Sequence, residues 1–183
     1  MNINDNQQFV RKIKYATSGK WANALLTVVL MAWVGNVVAA PKLQGNLEAL
    51  LVVADENGKE SFRAAEAVLP GQVIEYRLLY SNEGDEVINN LKVLGPIPEE
   101  VEYVAMSASS ASNAELEASI DMGITWSSEP LYRTALDANG KEVQEVVPPS
   151  QYHQIRWSSF DELKPDDSFQ YTYRVRVKGN LDL

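Results

Sequence analysis

Apolar and polar residues alternate along much of this chain with a period of two, which is typical of β-strands that bury one face. The pattern is clear in QVIEYRLLYSN, residues 72–82, where every second residue from Ile74 to Tyr80 is apolar. FQYTYRVRVKG, residues 169–179, alternates just as strictly, with its apolar set running from Phe169 to Val177. Each stretch predicts a strand with one face on a core.

Shorter strands are predicted elsewhere, and turn signals such as Asn-Gly and Pro-Gly lie between them. We predict strands at 46–54, 61–68, 88–98, 101–107, 115–121, 124–128 and 152–160, whereas 129–151 is long and turn-rich. No stretch beyond the N-terminal segment sustains a helical period. The spacing predicts an all-β chain folded as an antiparallel β-sandwich. No repeat at 40–50 residues suggests a propeller.

The N-terminal segment has the features of a signal peptide. A basic region formed by Arg11, Lys12, Lys14 and Lys20 precedes the uncharged apolar stretch ALLTVVLMAWVG, residues 24–35. The small residues of NVVAAP predict cleavage after Ala39. The alternative is an uncleaved anchor, although the apolar stretch is shorter than the roughly 20 residues of a spanning helix. We therefore predict a signal peptide at 1–39, a linker at 40–45, the sandwich at 46–179 and a tail at 180–183.

The predicted mature chain is strongly acidic. The whole chain has a formal net charge of −9, and residues 1–39 contain four basic residues and one acidic residue, so about −12 remains after cleavage. Such a surface repels phosphate backbones, and we expect no nucleic-acid partner. The absence of cysteine excludes disulfides and lipidation at a lipobox, and a single histidine, His153, excludes a multi-histidine metal centre.

The order of motifs resembles a bacterial conserved-repeat domain of unknown function, the eleventh in its series. VLPGQVIEYRLLYSNEGDEVINNLKVLGPIPEEVEYV carries the Pro-Gly turn, the Tyr-x-x-x-Tyr-x-Asn-x-Gly strand end and a strand that closes on proline. The match spans about residues 46–179, and three turn positions depart from it: Gly95 replaces the usual Asp, while Met122 and Asp166 replace Gly. The resemblance implies an immunoglobulin-like β-sandwich of an exported or cell-surface protein, without catalytic residues.

The stretch SIDMGITW, residues 119–126, has the Ser-x-Asp-x-Gly-x-Thr-Trp pattern of the Asp-box in sialidases. In such a turn the carboxylate accepts backbone N–H bonds and glycine supplies an unusual backbone conformation. A sialidase needs several boxes, an arginine cluster and a tyrosine nucleophile, and this chain has one box. We therefore interpret Asp121, Gly123 and Trp126 as a structural turn, with the Trp126 and Trp157 side chains in the core.

No catalytic group is predicted. Acidic pairs suitable for glycoside hydrolysis are abundant, but nothing distinguishes one pair from the rest, and no nucleophile elbow accompanies His153. We expect a non-enzymatic protein and no cofactor, apart from calcium at two acidic loops. The calcium candidates are Asp55 and Asn57 in one loop and Asp161 and Asp166 in the other, and neither loop has EF-hand spacing.

Three functions remain open. The first is a structural protein that assembles with itself or other cell-surface proteins. One form of such an assembly is a filament in which the apolar strand 46–54 is donated to a neighbour. Its candidate assembly residues are Leu47, Leu50, Leu51, Val52 and Val53. The simpler alternative makes 46–54 the first strand of its own sandwich. The second function is polysaccharide or protein binding, through exposed aromatic residues chosen from Tyr132, Tyr152 and Trp157. The third is a hydrolase. Membrane contact is expected only through an uncleaved signal segment.

Overall fold

A computed structural model of the protein describes residues 42–179. The predicted signal peptide at 1–39 and the tail at 180–183 lie outside the described residues. Eleven strands follow one another: β1 (Leu43–Ala54), β2 (Glu60–Ala64), β3 (Val73–Asn82), β4 (Lys92–Pro96), β5 (Val101–Tyr103), β6 (Ser109–Ser110), β7 (Ala114–Ser119), β8 (Tyr132–Leu136), β9 (Glu142–Val146), β10 (Gln154–Ser159) and β11 (Ser168–Val177). A short 3-10 helix spans Pro149–Gln151. No helix in this part of the chain is long and apolar enough to cross a membrane.

The strands form two main sheets, and all of their pairings are antiparallel. The larger sheet has the order β2-β1-β3-β11-β5, with β6 also paired to β11. The smaller sheet has the order β4-β10-β7. Strands β8 and β9 pair only with each other, as a separate hairpin. The prediction of an all-β antiparallel sandwich is confirmed.

The core lies between the two sheets, where the apolar face of each strand turns inward. Ile74, Leu78, Tyr171, Tyr173 and Val175 come from the larger sheet, and they meet Val93, Ala118, Ile155 and Trp157 of the smaller one. The apolar residues that alternate along β3 and β11 therefore face inward as predicted and form part of the core.

Close packing explains Gly95, which was expected at a turn but lies inside strand β4. A Cβ atom built on Gly95 would stand 2.8 Å from Ile155 and 2.9 Å from Tyr173, too close for any other residue without a shift. The Tyr173 hydroxyl also donates a hydrogen bond to the Pro96 carbonyl at 2.7 Å. Glycine is needed here because the two sheets approach at this point.

Several predicted elements differ from those of the structure. β1 begins at Leu43, so the predicted linker at 40–45 overlaps the strand by three residues. The segment 124–128 is not a strand, since only Ser127 makes an isolated bridge, to Ala118. The turn-rich segment 129–151 contains the β8–β9 hairpin, which turns at Asn139-Gly140. For β1, pairing with β3 extends the strand beyond the apolar run, and the composition of residues 43–45 does not show it.

Candidate functional sites on the sandwich

The SIDMGITW segment folds as a tight turn built around one carboxylate. Asp121 Oδ1 accepts hydrogen bonds from the backbone N–H groups of Ile124 (3.1 Å) and Thr125 (2.9 Å). Its Oδ2 accepts one from the Thr125 hydroxyl at 2.6 Å. The bonds from Thr125, with smaller contributions from Ser119 and the Ile124 amide, lower the pKa of Asp121 to about 2. Gly123 has φ 88°, a left-handed conformation that favours glycine.

Trp126 completes this turn from outside the core. Its indole N–H donates to the Gly123 carbonyl at 3.0 Å, and its ring lies under the guanidinium of Arg156, 4.2 Å from Cζ to the ring centroid. Arg156 points outward from β10, so the prediction that Trp126 belongs to the core is wrong. Trp157, the next residue along β10, is 1% exposed and does belong to it. The whole turn is thus internally bonded and leaves Asp121 little capacity for a ligand.

The two calcium candidate loops do not gather acidic groups. Asp55 Oδ1 accepts from the backbone N–H groups of Asn57 and Lys59, each at 2.9 Å, which is an Asx-type turn. Asp161 Oδ2 accepts from the Asn113 N–H at 2.7 Å, and Asp166 is an exposed turn residue with φ 65°. Between residues 42 and 179, no three His, Asp or Glu side chains stand where they could hold a metal ion. These loops are explained as turns.

The groups that a hydrolase would use are engaged in structural contacts. His153 precedes β10, and its Nδ1 lies 2.8 Å from the Ile120 carbonyl oxygen. The acidic residue buried deepest, Glu75, is 8% exposed and is held by two arginines: Arg77 Nε at 2.8 Å and Arg174 Nε at 3.0 Å. Over the described range, no buried side-chain nitrogen or oxygen lacks a hydrogen-bond partner. His153 and Glu75 are thus both bound to other groups of the protein.

Of the three aromatic candidates for polysaccharide stacking, the structure exposes one. Tyr132 in β8 is 59% exposed, whereas Tyr152 and Trp157 are buried. Tyr152 stacks on Tyr103 inside the molecule, with ring centroids 5.7 Å apart. The three candidates therefore form no exposed row, and the feature that would favour sugar binding is missing from them.

The candidate assembly strand is built into its own sandwich. β1 lies between β3 and β2, and its residues 43–52 pair in register with β3. Among the candidate assembly residues, Leu50 and Leu51 are buried, while Leu47, Val52 and Val53 are half-buried. The simpler alternative, that 46–54 is a strand of its own domain, is the arrangement seen here.

The first half of β1 nevertheless has an open edge. β2 pairs only with residues 50–54, and the Ala65 N–H bonds to the Ala49 carbonyl at 3.1 Å, so this cover stops at Ala49. No strand within the described residues pairs with 43–48 on that side. The outer polar side chains of this stretch, Gln44, Asn46 and Glu48, are exposed. An open edge of this kind is a template for a further strand.

The β8–β9 hairpin is a second exposed feature. It is anchored at its base, where the Val147 N–H bonds to the Leu131 carbonyl at 2.8 Å and both side chains are buried. One face of the hairpin carries the exposed apolar side chains of Tyr132, Leu136 and Val146. Sequence reasoning missed this hairpin, although Asn139-Gly140 between alternating residues was a usable signal.

An ion-pair network on the outer face of the larger sheet was also missed. Arg174 of β11 forms a forked pair with Glu60 of β2 (2.8 and 2.7 Å) and bonds Glu75 of β3 at 3.0 Å. Arg77 continues the network and lies over the Phe62 ring, 4.5 Å from its centroid. The network joins residues up to 114 positions apart, so only the sheet order could reveal it. It ties the edge strand β2 to the centre of the sheet.

Comparison with known proteins returns no relative. No family model matches the chain, and no curated protein or solved structure matches it either.

Proposed function

We propose that this chain is an exported, non-enzymatic structural protein of the cell surface, and that it assembles with copies of itself through β1. The observation that carries the proposal is the open edge of residues 43–48, in a strand whose other side pairs with β3 over residues 43–52. Backbone N–H and C=O groups on such an edge give affinity to an added strand without any pocket. Export rests on the signal-like N-terminal segment.

A structural role is supported by how the polar groups are used. Glu75 is neutralised by two arginines, Asp121 closes a turn, and His153 faces a backbone carbonyl. The resemblance to the conserved-repeat domain also supports a structural role. Met122 and Asp166 stand where that family usually has glycine, and both have positive φ, 60° and 65°.

Exchange of β1 between copies would build a filament, but it costs more free energy than the addition of a strand at the open edge. A donated β1 must leave ten registered partners in β3 and expose Leu50 and Leu51. Each buried leucine contributes about 1.5–3 kcal/mol, and a whole domain is stable by only about 5–15 kcal/mol. Addition of a strand to the open edge breaks none of these contacts, and so we place the assembly surface at that edge.

Binding of another protein is the second candidate function. It is favoured by the β8–β9 hairpin, because a two-stranded ribbon is marginal alone and this one keeps Tyr132, Leu136 and Val146 in water. Exposed apolar rows of this kind mark interaction sites. A polysaccharide is a weaker candidate, since only one of the three aromatic candidates, Tyr132, is exposed.

The test is the molar mass of the processed protein, measured by light scattering across a wide concentration range. Gly45→Pro removes an N–H group that points to the open edge. Gly45→Ala is its matched control, because either substitution places a Cβ atom 3.0 Å from Cε1 of Tyr80. We expect a mass that rises with concentration in the wild type and Gly45→Ala, and a monomer in Gly45→Pro. A wild-type monomer at every concentration would refute self-assembly.

A further inference from the structure

We infer that the open edge of β1 pairs with the same edge of a second copy, antiparallel about a twofold axis at Gly45. This inference rests on the proposed self-assembly and specifies its geometry. The seven residues 42–48 read Lys-Leu-Gln-Gly-Asn-Leu-Glu. Read against itself in the opposite direction, this sequence places Lys opposite Glu, Leu opposite Leu, Gln opposite Asn, and Gly opposite Gly. The edge of one copy is therefore chemically complementary to the same edge of a second copy.

The hydrogen-bond pattern of β1 fixes which residues can pair. The Glu83 N–H bonds to the Lys42 carbonyl on the β3 side, and the Ala65 N–H bonds to the Ala49 carbonyl on the β2 side. Backbone groups of adjacent residues in a strand point to opposite edges. Even-numbered residues therefore bond to β3, and Leu43, Gly45 and Leu47 point their N–H and C=O groups to the open edge. A second copy must align these three residues with its own three.

Only one such alignment forms the backbone hydrogen bonds and also places opposite charges across from each other. With Gly45 opposite Gly45 of the partner subunit, Leu43 bonds to Leu47 of the partner subunit, and Lys42 lies opposite Glu48 of the partner subunit. A shift of one pair in either direction separates these charges, placing Glu48 opposite Gln44 of the partner subunit or beyond the strand. Opposite charges directly across a strand pair are favourable. Each copy contributes one Lys42 and one Glu48, so the dimer has two such pairs.

The local environment permits this arrangement. Lys42 and Glu48 are exposed, and so are Gln44 and Asn46 between them. Lys42 already contacts Glu83 of its own chain at 2.7 Å, with both side chains largely in water, so Lys42 can turn to a new partner at little cost. The stretch from Leu43 to Glu48 contains no proline to block added hydrogen bonds. The pairing closes on itself and yields a dimer.

Disulfide trapping tests the register directly, because the natural chain has no cysteine. In the inferred dimer Gln44 faces Asn46 of the partner subunit in a non-hydrogen-bonded pair, with Cα atoms about 4.5 Å apart, which a disulfide spans. We expect a mixture of the processed Gln44→Cys and Asn46→Cys proteins, after mild oxidation, to cross-link several-fold more than either variant alone. Lys92→Cys on the edge of β4 is the matched control, and it should not cross-link with either variant.

Charge reversal gives a second test in solution. Glu48→Lys alone, or Lys42→Glu alone, should raise the dimer Kd by about tenfold, and the double variant should restore it to within about twofold of the wild type. Glu83→Gln, which removes the intrachain partner of Lys42, should not weaken the dimer. Concentration-dependent assembly without selective 44–46 cross-linking would overturn the register but keep the proposed function. A monomer at every concentration would overturn both.

Discussion

Replacement of Leu51 by alanine tests whether β1 is a fixed part of its own sandwich. Leu51 is 3% exposed and pairs with Ile74 of β3, itself in the core. The substitution removes three carbon atoms at about 0.8 kcal/mol each, and the cavity left behind brings the cost to about 3 kcal/mol. We expect the unfolding free energy to fall by this amount, with an unchanged dependence on denaturant because the exposed surface is the same.

The assay is urea unfolding followed by tryptophan fluorescence, since Trp157 is buried between the sheets and reports on the whole core. Leu69→Ala is the control, because Leu69 is 67% exposed and its loss should cost less than about 0.5 kcal/mol. A loss below about 1 kcal/mol for Leu51→Ala would refute the reasoning. It would mean that β1 leaves the sandwich at low cost, and strand exchange between copies would then become the better description of assembly.

Three further predictions concern local chemistry. Hydrogen bonds from Thr125 lower the pKa of Asp121 to about 2. The ionised carboxylate therefore stabilises the fold fully above its ordinary pKa of 3.8, and this stabilisation is lost as pH falls through 2. The difference in stability between wild type and Asp121→Asn should be constant from pH 5 to 7 and shrink below pH 3.8. Glu129 lies shortly before β8, and its Oε2 accepts a hydrogen bond from the Tyr103 hydroxyl at 3.0 Å. Burial raises the pKa of Glu129, so the protonated form favours folding, and the wild type should lose stability relative to Glu129→Gln as pH rises above 4.5. Parallel pH profiles of the two proteins would contradict this. A chelator or added calcium should leave the melting temperature unchanged, whereas a rise with calcium would restore the loop of Asp55 or Asp161 as a site.

The strand faces could be predicted from the sequence, because a period of two is a local property. Alternation in β3 and β11 placed Ile74, Leu78, Tyr171 and Tyr173 in the core, where the structure has them. The role of Asp121 in its turn could also be predicted from the sequence, because a carboxylate two to four residues before backbone N–H groups bonds within its own turn. In both cases the determining contacts lie within a few residues of one another.

The features that escaped prediction depend on contacts across the sandwich. The Trp126 ring lies under the guanidinium of Arg156, which is thirty positions away and has no signature in the local pattern. The Glu60–Arg174–Glu75 network needs the order β2-β1-β3-β11 before its members can meet. The open edge of β1 escaped for the same reason, since its exposure follows from the length of β2 and not from the composition of residues 43–48.

The geometry of the β1 edge limits what assembly can produce. A twofold pairing at Gly45 uses the same surface on both copies, and an isologous contact of this kind closes and cannot extend into a filament. Growth beyond a dimer therefore requires a second, different surface. The β8–β9 hairpin is the described feature that offers one, with Tyr132, Leu136 and Val146 exposed on a single face. If filaments form, their growth should depend on these three residues as well as on Gly45, whereas a dimer should depend on the β1 edge alone.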